Sequence, residues 1–267
     1  MPVLEFTPES APQLTSHYLQ KETEHVVQLA ILSHLQRWEG AFVLALEQEG
    51  RILGTLIHSA FFLLEADSAE VARELARAAF AHRPLPNKVQ GPAAVTKAFV
   101  EEWTRLSGKA AHLEMHERIY DLTTVNMPQG IPGRMRKTTP ADAPTLAVWA
   151  KAFVKEAVHE TLSDEEAQQV AVRDNLYVWE VEGQMVSLAA ASGKTPNGIR
   201  VNFVYTPPEF RGNRYASANV ATLSQHLLES GNQFCALFTD LSNPTSNAIY
   251  QRIGYRPVID VDKYQLE

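Results

Sequence analysis

The chain has 267 residues, 45% of them apolar, which suits a soluble globular protein of one or two domains. Its formal net charge of −7 argues against non-specific nucleic-acid binding, which rests on neutralising phosphates, and no apolar run is long enough to span a membrane. Cys235 is the only cysteine, so a disulfide framework is excluded; with no basic-then-apolar leader pattern at the N-terminus, a reducing cytoplasm is the expected compartment.

In chain order, Thr15 to Trp38 reads as a helix with gaps, carrying Leu19, Val26, Leu29, Ile31, Leu32 and Leu35. Ala41 to Ala45 reads as a strand, Glu49-Gly50 as a turn and Ile52 to Ala60 as the hairpin partner. Ser68 to Phe80 has a helical apolar face of Val71, Leu75, Ala78 and Ala79. Pro84 to Pro86 breaks the chain, and Val89 to Pro92 leads into a helix from Ala93 to Leu106 capped at Gly108. A strand follows from Ala110 to Leu122.

Asn126 to Pro132, with two prolines and a glycine, reads as a linker. The expected division is 1–125, a linker over 126–134, and 135–267. Helices are predicted over Pro140 to Ala157 and Asp164 to Arg173, then a hairpin of Leu176 to Val181 and Met185 to Ser192 about Glu182-Gly183. The strand, Glu-Gly turn and strand repeat the order of the first half, so the chain reads as a tandem of two α/β units.

Val201 to Thr206 is a β-branched strand that ends at Pro207-Pro208, passes through the basic turn Arg211-Gly-Asn-Arg-Tyr-Ala216 and opens a helix stopped by Gly231. Such a turn gathers free backbone N–H groups and the positive helix end at one point, and Arg211 adds a bidentate partner for a phosphate. Phe234 to Leu241 is the next strand, with Cys235 as a small buried core residue. Asn243-Pro244 then starts a helix that closes at Gly254, and Asn243, Asn247 and Tyr250 share one face of it.

Arg211-Gly-Asn-Arg-Tyr-Ala216 resembles the pyrophosphate loop of the GNAT acyl-CoA-dependent N-acyltransferases. Asn243-Pro-Thr-Ser-Asn-Ala-Ile-Tyr250 with Arg252-Ile-Gly-Tyr255 is similar to that family's second cofactor segment. The match covers about Thr138 to Tyr264, and it departs from the family where Arg214 stands in place of the first loop glycine. If Arg214 turns its side chain to phosphate, Arg214→Gly weakens cofactor binding, the outcome favoured on charge; if the position wants glycine, the same change tightens it.

The resemblance implies an α/β (α+β) fold of two GNAT-like units, each a mainly antiparallel mixed sheet flanked by helices, the first a degenerate copy without a phosphate loop. It implies an N-acetyltransferase that binds acetyl-CoA through Val204, Tyr205, Thr206, Arg211, Gly212, Asn213, Arg214, Tyr215, Ala216, Ser217, Asn243, Asn247 and Tyr250, with CoA as product and no metal. The backbone of Val204 to Thr206 would pair with the pantetheine arm as an added strand, which requires the next strand to splay away. Tyr250 would be the acid that meets the leaving thiolate; its plainer reading is a helix tyrosine with its ring in the core.

No base stands out. The resemblance implies that the helix end carrying Glu156, His159 and Glu160 faces the acceptor, and Glu180 lies on a strand. Any of them could take the amine's proton, and each is also readable as a solvated charge; Glu156 is the one assigned. The expected partner is a small-molecule or peptide amine, without nucleic acid or membrane, in a monomer or homodimer. The first unit is read as structural or as a wall of the acceptor pocket. Two other readings compete: a non-catalytic module that senses acyl-CoA, and an aminoacyl transferase drawing on tRNA, which the charge opposes.

Overall fold

A computed structural model describes residues 2–37, 39–82 and 87–267. The expected break at Pro84 to Pro86 and the end of the first helix at Trp38 lie outside the described residues. β1 (Val3–Phe6) leads to α1 (Thr15–Leu19) and α2 (Val26–Leu32), with short 3-10 turns at Ala11–Leu14 and Leu35–Arg37. The gap between α1 and α2 has a local cause. The Tyr18 carbonyl, which a continuous helix would offer four residues onward, instead accepts from the amide of Lys21 and from Nδ1 of His25 at 3.1 Å.

The hairpin of β2 (Phe42–Gln48) and β3 (Arg51–His58) turns through Glu49 and Gly50, and β4 (Phe62–Ala66) follows. α3 (Ala69–Phe80) is N-capped by Ser68, whose hydroxyl accepts from the Val71 amide at 3.3 Å. β5 (Lys88–Pro92), α4 (Ala93–Ser107) and β6 (Ala111–Leu122) complete the first half. Next come β7 (Arg134–Lys137), α5 (Ala143–Phe153), α6 (Asp164–Ala171), β8 (Leu176–Val181) and β9 (Gln184–Ser192). The chain ends with β10 (Gly198–Tyr205), α7 (Tyr215–Glu229), β11 (Phe234–Asp240), α8 (Pro244–Ile253) and β12 (Arg256–Leu266). The helix expected over Pro140 to Ala157 is a 3-10 turn, then α5, then one π turn, Val154–Val158, which stops at a left-handed His159.

The chain forms two compact units that interleave in sequence. The first comprises residues up to Tyr120 with Phe238–Asn247 and Pro257–Glu267; the second comprises Asp121–Leu237 and Ala248–Arg256. In the first, β1 to β4 are antiparallel neighbours, β4 pairs parallel with β5, and β12 runs antiparallel to β5. The apolar run of β2 serves both faces of this sheet. Leu44 and Leu46 pack with Leu75, Phe99 and Trp103 beneath α3 and α4, while Val43 points oppositely, to Tyr18, Leu29 and Leu35.

In the second unit β7, β8, β9 and β10 are antiparallel neighbours, and β10 pairs parallel with β11. One face carries α5 and α6 over Leu146, Trp149, Val178, Leu188 and Tyr205; Trp179 turns the other way, to Ala218 of α7. Each unit is therefore a mixed, mostly antiparallel sheet between helices. Both also share one order of elements: β4, α3, β5, α4 in the first half, and β10, α7, β11, α8 in the second.

Candidate active site

The second unit holds Val204 to Ser217, at and beyond the C-terminal end of β10, and Tyr250, whereas Asn243 and Asn247 belong to the first. β10 pairs with β11 only at Gly198, Ile199 and Arg200, and from Val201 onward its ladder partner is β9 alone. The register slips between Asn202 and Tyr205, where Phe203 adopts a φ of 54°. The edge of β10 that faces away from β9 is thus open along Val204 to Thr206, which is the splay the resemblance requires.

Pro207 and Pro208 end the strand, and a 3-10 turn, Pro208–Phe210, feeds the loop. Gly212 has a φ of 83° and Arg214 one of 64°, so two left-handed residues bend the chain before α7. No side chain caps α7. The amides of Phe210 and Arg211 are bonded within the turn, and among the described residues the six amides from Gly212 to Ser217 donate to nothing. A bend of consecutive free N–H groups ahead of a helix dipole is a concave site for an anion. Arg214 is itself exposed.

Arg211 already has partners. Its Nε donates to the Thr206 carbonyl at 2.9 Å, one Nη donates to Glu156 Oε2 at 2.7 Å, and its guanidinium lies 5.9 Å from the Tyr205 ring centroid. The two residues expected as phosphate anchor and base are therefore an ion pair, both about half exposed, at 48% and 47%. The π turn accounts for this. It widens the last turn of the helix after α5 and ends at a left-handed His159, setting Glu156 beside the loop. Tyr205 is buried, and burial together with the charges of Glu156 and Glu209 raises its hydroxyl above the ordinary value despite Arg211.

The other candidate bases separate. Glu180 is bonded to Arg136 at 2.6 Å and to Arg134 at 3.3 Å, and these partners hold its carboxyl below the usual range. It is a structural tether of β7. Glu160 ends the π turn through its amide, bonded to the Val154 carbonyl at 3.4 Å.

Tyr250 stands in the last turns of α8 and is 8% exposed, with its ring 6.0 Å from that of Tyr255. Its hydroxyl has no hydrogen-bond partner among the described residues, and burial pushes its pKa up to about 12. It is a protonated donor with a free proton. Tyr255 is different: Ser224 donates its proton to the Val220 carbonyl at 2.8 Å, so Tyr255 donates to Ser224 Oγ at 2.8 Å and is fixed in the core. Gly254, at a φ of 114°, lets α8 close where an added Cβ would lie 2.7 Å from the Thr124 carbonyl. Asn243 N-caps α8, accepting from the Ser246 amide at 3.0 Å. Asn247 donates to the Asp240 and Asn243 carbonyls and accepts from the Tyr120 hydroxyl at 3.0 Å, so its polar atoms are committed to holding the turn after β11. Cys235 is buried, and burial raises its thiol to about 12, as expected of a core residue.

Residues 144–255 match the model of the acetyltransferase (GNAT) family. Over more than nine tenths of its length the chain is similar in fold to solved acetyltransferase structures. A GCN5-related N-acetyltransferase from Kribbella flavida aligns at a TM-score of 0.62 with 16% identity, covering 91% of this chain and 95% of that one. One from Sphaerobacter thermophilus aligns at 0.62 with 13% identity, over 99% and 96%. A tandem GNAT protein from the clavulanic acid biosynthesis pathway aligns at 0.54 with 10% identity, over 98% and 97%. No curated protein matches the sequence. Among the described residues no helix is long and apolar enough to cross a membrane.

Proposed function

We propose that the chain is an N-acetyltransferase that moves an acetyl group from acetyl-CoA to a primary amine of a small-molecule or peptide acceptor. The observation that carries this reading is the turn at 211–217, with its six unbonded amides, at the open end of β10. The residues fit the cofactor's parts. The amides of Gly212, Asn213, Arg214, Tyr215, Ala216 and Ser217, together with Arg211, would hold the pyrophosphate. The free edge of Val204 to Thr206 would take the amide-bearing pantetheine arm as a strand.

Bound acetyl-CoA supplies an activated acyl group, leaving the protein to position the amine, take its proton and stabilise the departing sulfur. Tyr250 serves the last need. At a pKa of about 12 it holds its proton at neutral pH, and transfer to a free thiolate of ordinary basicity would be uphill by about 5 kcal/mol. Its role is a hydrogen bond to developing negative charge. Glu156 serves as base for the amine once Arg211 releases it. Anchoring phosphate and freeing the base are then one exchange at the same guanidinium.

The test is thiol release from acetyl-CoA across polyamines, amino acids, aminoglycosides and peptides, together with thermal unfolding with and without cofactor. Acetyl-CoA at about a hundred times its dissociation constant should add about 2.7 kcal/mol of stability, and Arg211→Ala should reduce that gain. Stabilisation without thiol release from any amine would replace the enzyme reading by an acyl-CoA sensor.

A further inference from the structure

The first unit contains a cavity of about 260 Å³ that lies wholly among its own residues. β4 and β5 pair at only two positions, Phe62 with Val89 and Leu63 with Gln90, and the cavity opens just beyond, against Glu65, Ala66, Gly91 and Pro92. It stands at the same point of the strand–helix–strand order as the open end of β10 in the second unit, but its chemistry is opposite. The segment between β4 and α3 is Asp67-Ser68, with Ser68 capping the helix and Asp67 ion-paired to Arg51 at 2.5 Å. The first-turn amides of α4 at Ala93 to Val95 have no side-chain cap, but no unpaired cation stands with them among the lining residues. Lys21, the one cation among the lining residues, is bridged to Glu24 at 3.7 Å.

What faces the cavity is unused acceptor capacity. Gln28 is 7% exposed and has no hydrogen-bond partner among the described residues, yet its polar atoms are not sealed in protein. Its amide is therefore available to whatever occupies the cavity. His25 is 5% exposed; its Nδ1 must carry the proton it gives to the Tyr18 carbonyl, so the neutral ring leaves Nε2 as an acceptor without a partner. Glu65 uses Oε2 for His17 at 3.1 Å and Thr55 at 3.4 Å, while Oε1 accepts nothing. The remaining walls are apolar, including Leu63, Val95 and Ile119.

We infer that this cavity is a second ligand site, separate from the acetyl-transfer site, for a small organic ammonium with an apolar body. The ammonium's donors answer the acceptors of Glu65, His25 and Gln28, and its body lies on the apolar wall. A dry cavity of about 150 Å³ takes a benzene ring, so this one has room for roughly ten non-hydrogen atoms. CoA, with its phosphates, is the wrong charge for it. The inference does not depend on acetyl transfer by the second unit.

Calorimetric titration of the full chain with phenethylammonium, and with its neutral and anionic counterparts 2-phenylethanol and phenylacetate, tests it. The ammonium should bind at least about tenfold more tightly than the alcohol, because only it matches the partly buried carboxylate of Glu65. Glu65→Gln should abolish that preference, and Gln28→Met should weaken the ammonium severalfold. Gln28 has no hydrogen bond to lose, so its variant keeps the test valid should Glu65→Gln disturb the His17 and Thr55 contacts. Equal binding of the alcohol, no binding of the ammonium at millimolar concentration, or ammonium binding unchanged by Gln28→Met would each overturn the inference.

Discussion

If the Arg211–Glu156 pair must open for acetyl-CoA to bind, Glu156→Gln should have opposite effects on affinity and turnover. The pair is single and exposed on both sides, at 48% and 47%, so water and salt screen it; pairs of that kind are worth about 0.2–1 kcal/mol. Glutamine retains the shape but cannot compete electrostatically with pyrophosphate for the guanidinium. Acetyl-CoA should therefore bind up to about fivefold more tightly to the variant, since about 1 kcal/mol corresponds to that factor. The gain should shrink as ionic strength rises, because it comes from an exposed charge. Turnover should fall by about a hundredfold or more if Glu156 accepts the amine's proton, the usual worth of a positioned base. Calorimetry with acetyl-CoA gives the first quantity and steady-state thiol release with a confirmed acceptor the second. Unchanged or weaker cofactor binding would refute the exchange at Arg211, and wild-type turnover would remove Glu156 as the base.

Tyr250→Phe keeps the buried ring and its packing on Tyr255, so acetyl-CoA affinity should barely move while turnover falls by about a hundredfold; turnover at the wild-type rate would dismiss Tyr250 as the acid. Arg214→Gly removes a side chain from a backbone position at φ 64°, so thermal or urea unfolding should show a gain of about 1 kcal/mol. Cofactor affinity should hold or tighten, and a tenfold loss would show instead that the side chain reads phosphate. Asp142 is held at about 2, chiefly by its hydrogen bonds from Arg136, so its contribution is complete above the unfolded value near 4 and is lost as pH falls through about 2. Asp142→Asn should cost about 1–2 kcal/mol at neutral pH and flatten stability between about pH 4 and pH 2, as followed by urea unfolding; an unchanged acid limb would place the sensitivity elsewhere.

Elements with a strong apolar period were legible from the sequence: α3, α4, α7, β8 and β9 fall within a residue or two of their predicted ends. The strands that were not foreseen carry their reasons in long-range partners. β7 is Arg-Met-Arg-Lys, too short and basic to read as a strand, and it crosses the end of the expected linker at 134. Arg136 explains it, bonded at once to Glu180 on the neighbouring strand and to Asp142. β12 brings Asp260 and Asp262 against Arg118 and His116 of β6, more than a hundred residues away, and it joins the first unit, so the units interleave where a single cut was expected. Nothing local in Arg256–Leu266 announces those pairings.

The site divides along the same line. Sequence spacing located the basic turn and the shared helix of Asn243, Asn247 and Tyr250, while the parting of β10 from β11 followed only from the family resemblance. It could not show that Arg211 spends its guanidinium on Glu156, since that contact depends on a π turn that no residue pattern marks. Nor could it settle Arg214. Charge alone favours a side chain turned to phosphate, whereas the left-handed backbone and exposed side chain place the burden on the amides. The screened interaction of one exposed cation is worth no more than the backbone strain of about 1 kcal/mol that it accompanies, so the expectation for Arg214→Gly reverses from weaker to equal or tighter binding. The same weighing explains why the two halves of the chain diverge. One strand end turns through six unbonded amides and the other through Asp67 and a serine cap, so a shared order of strands and helices offers an anion site in the second unit and acceptors for a cation in the first.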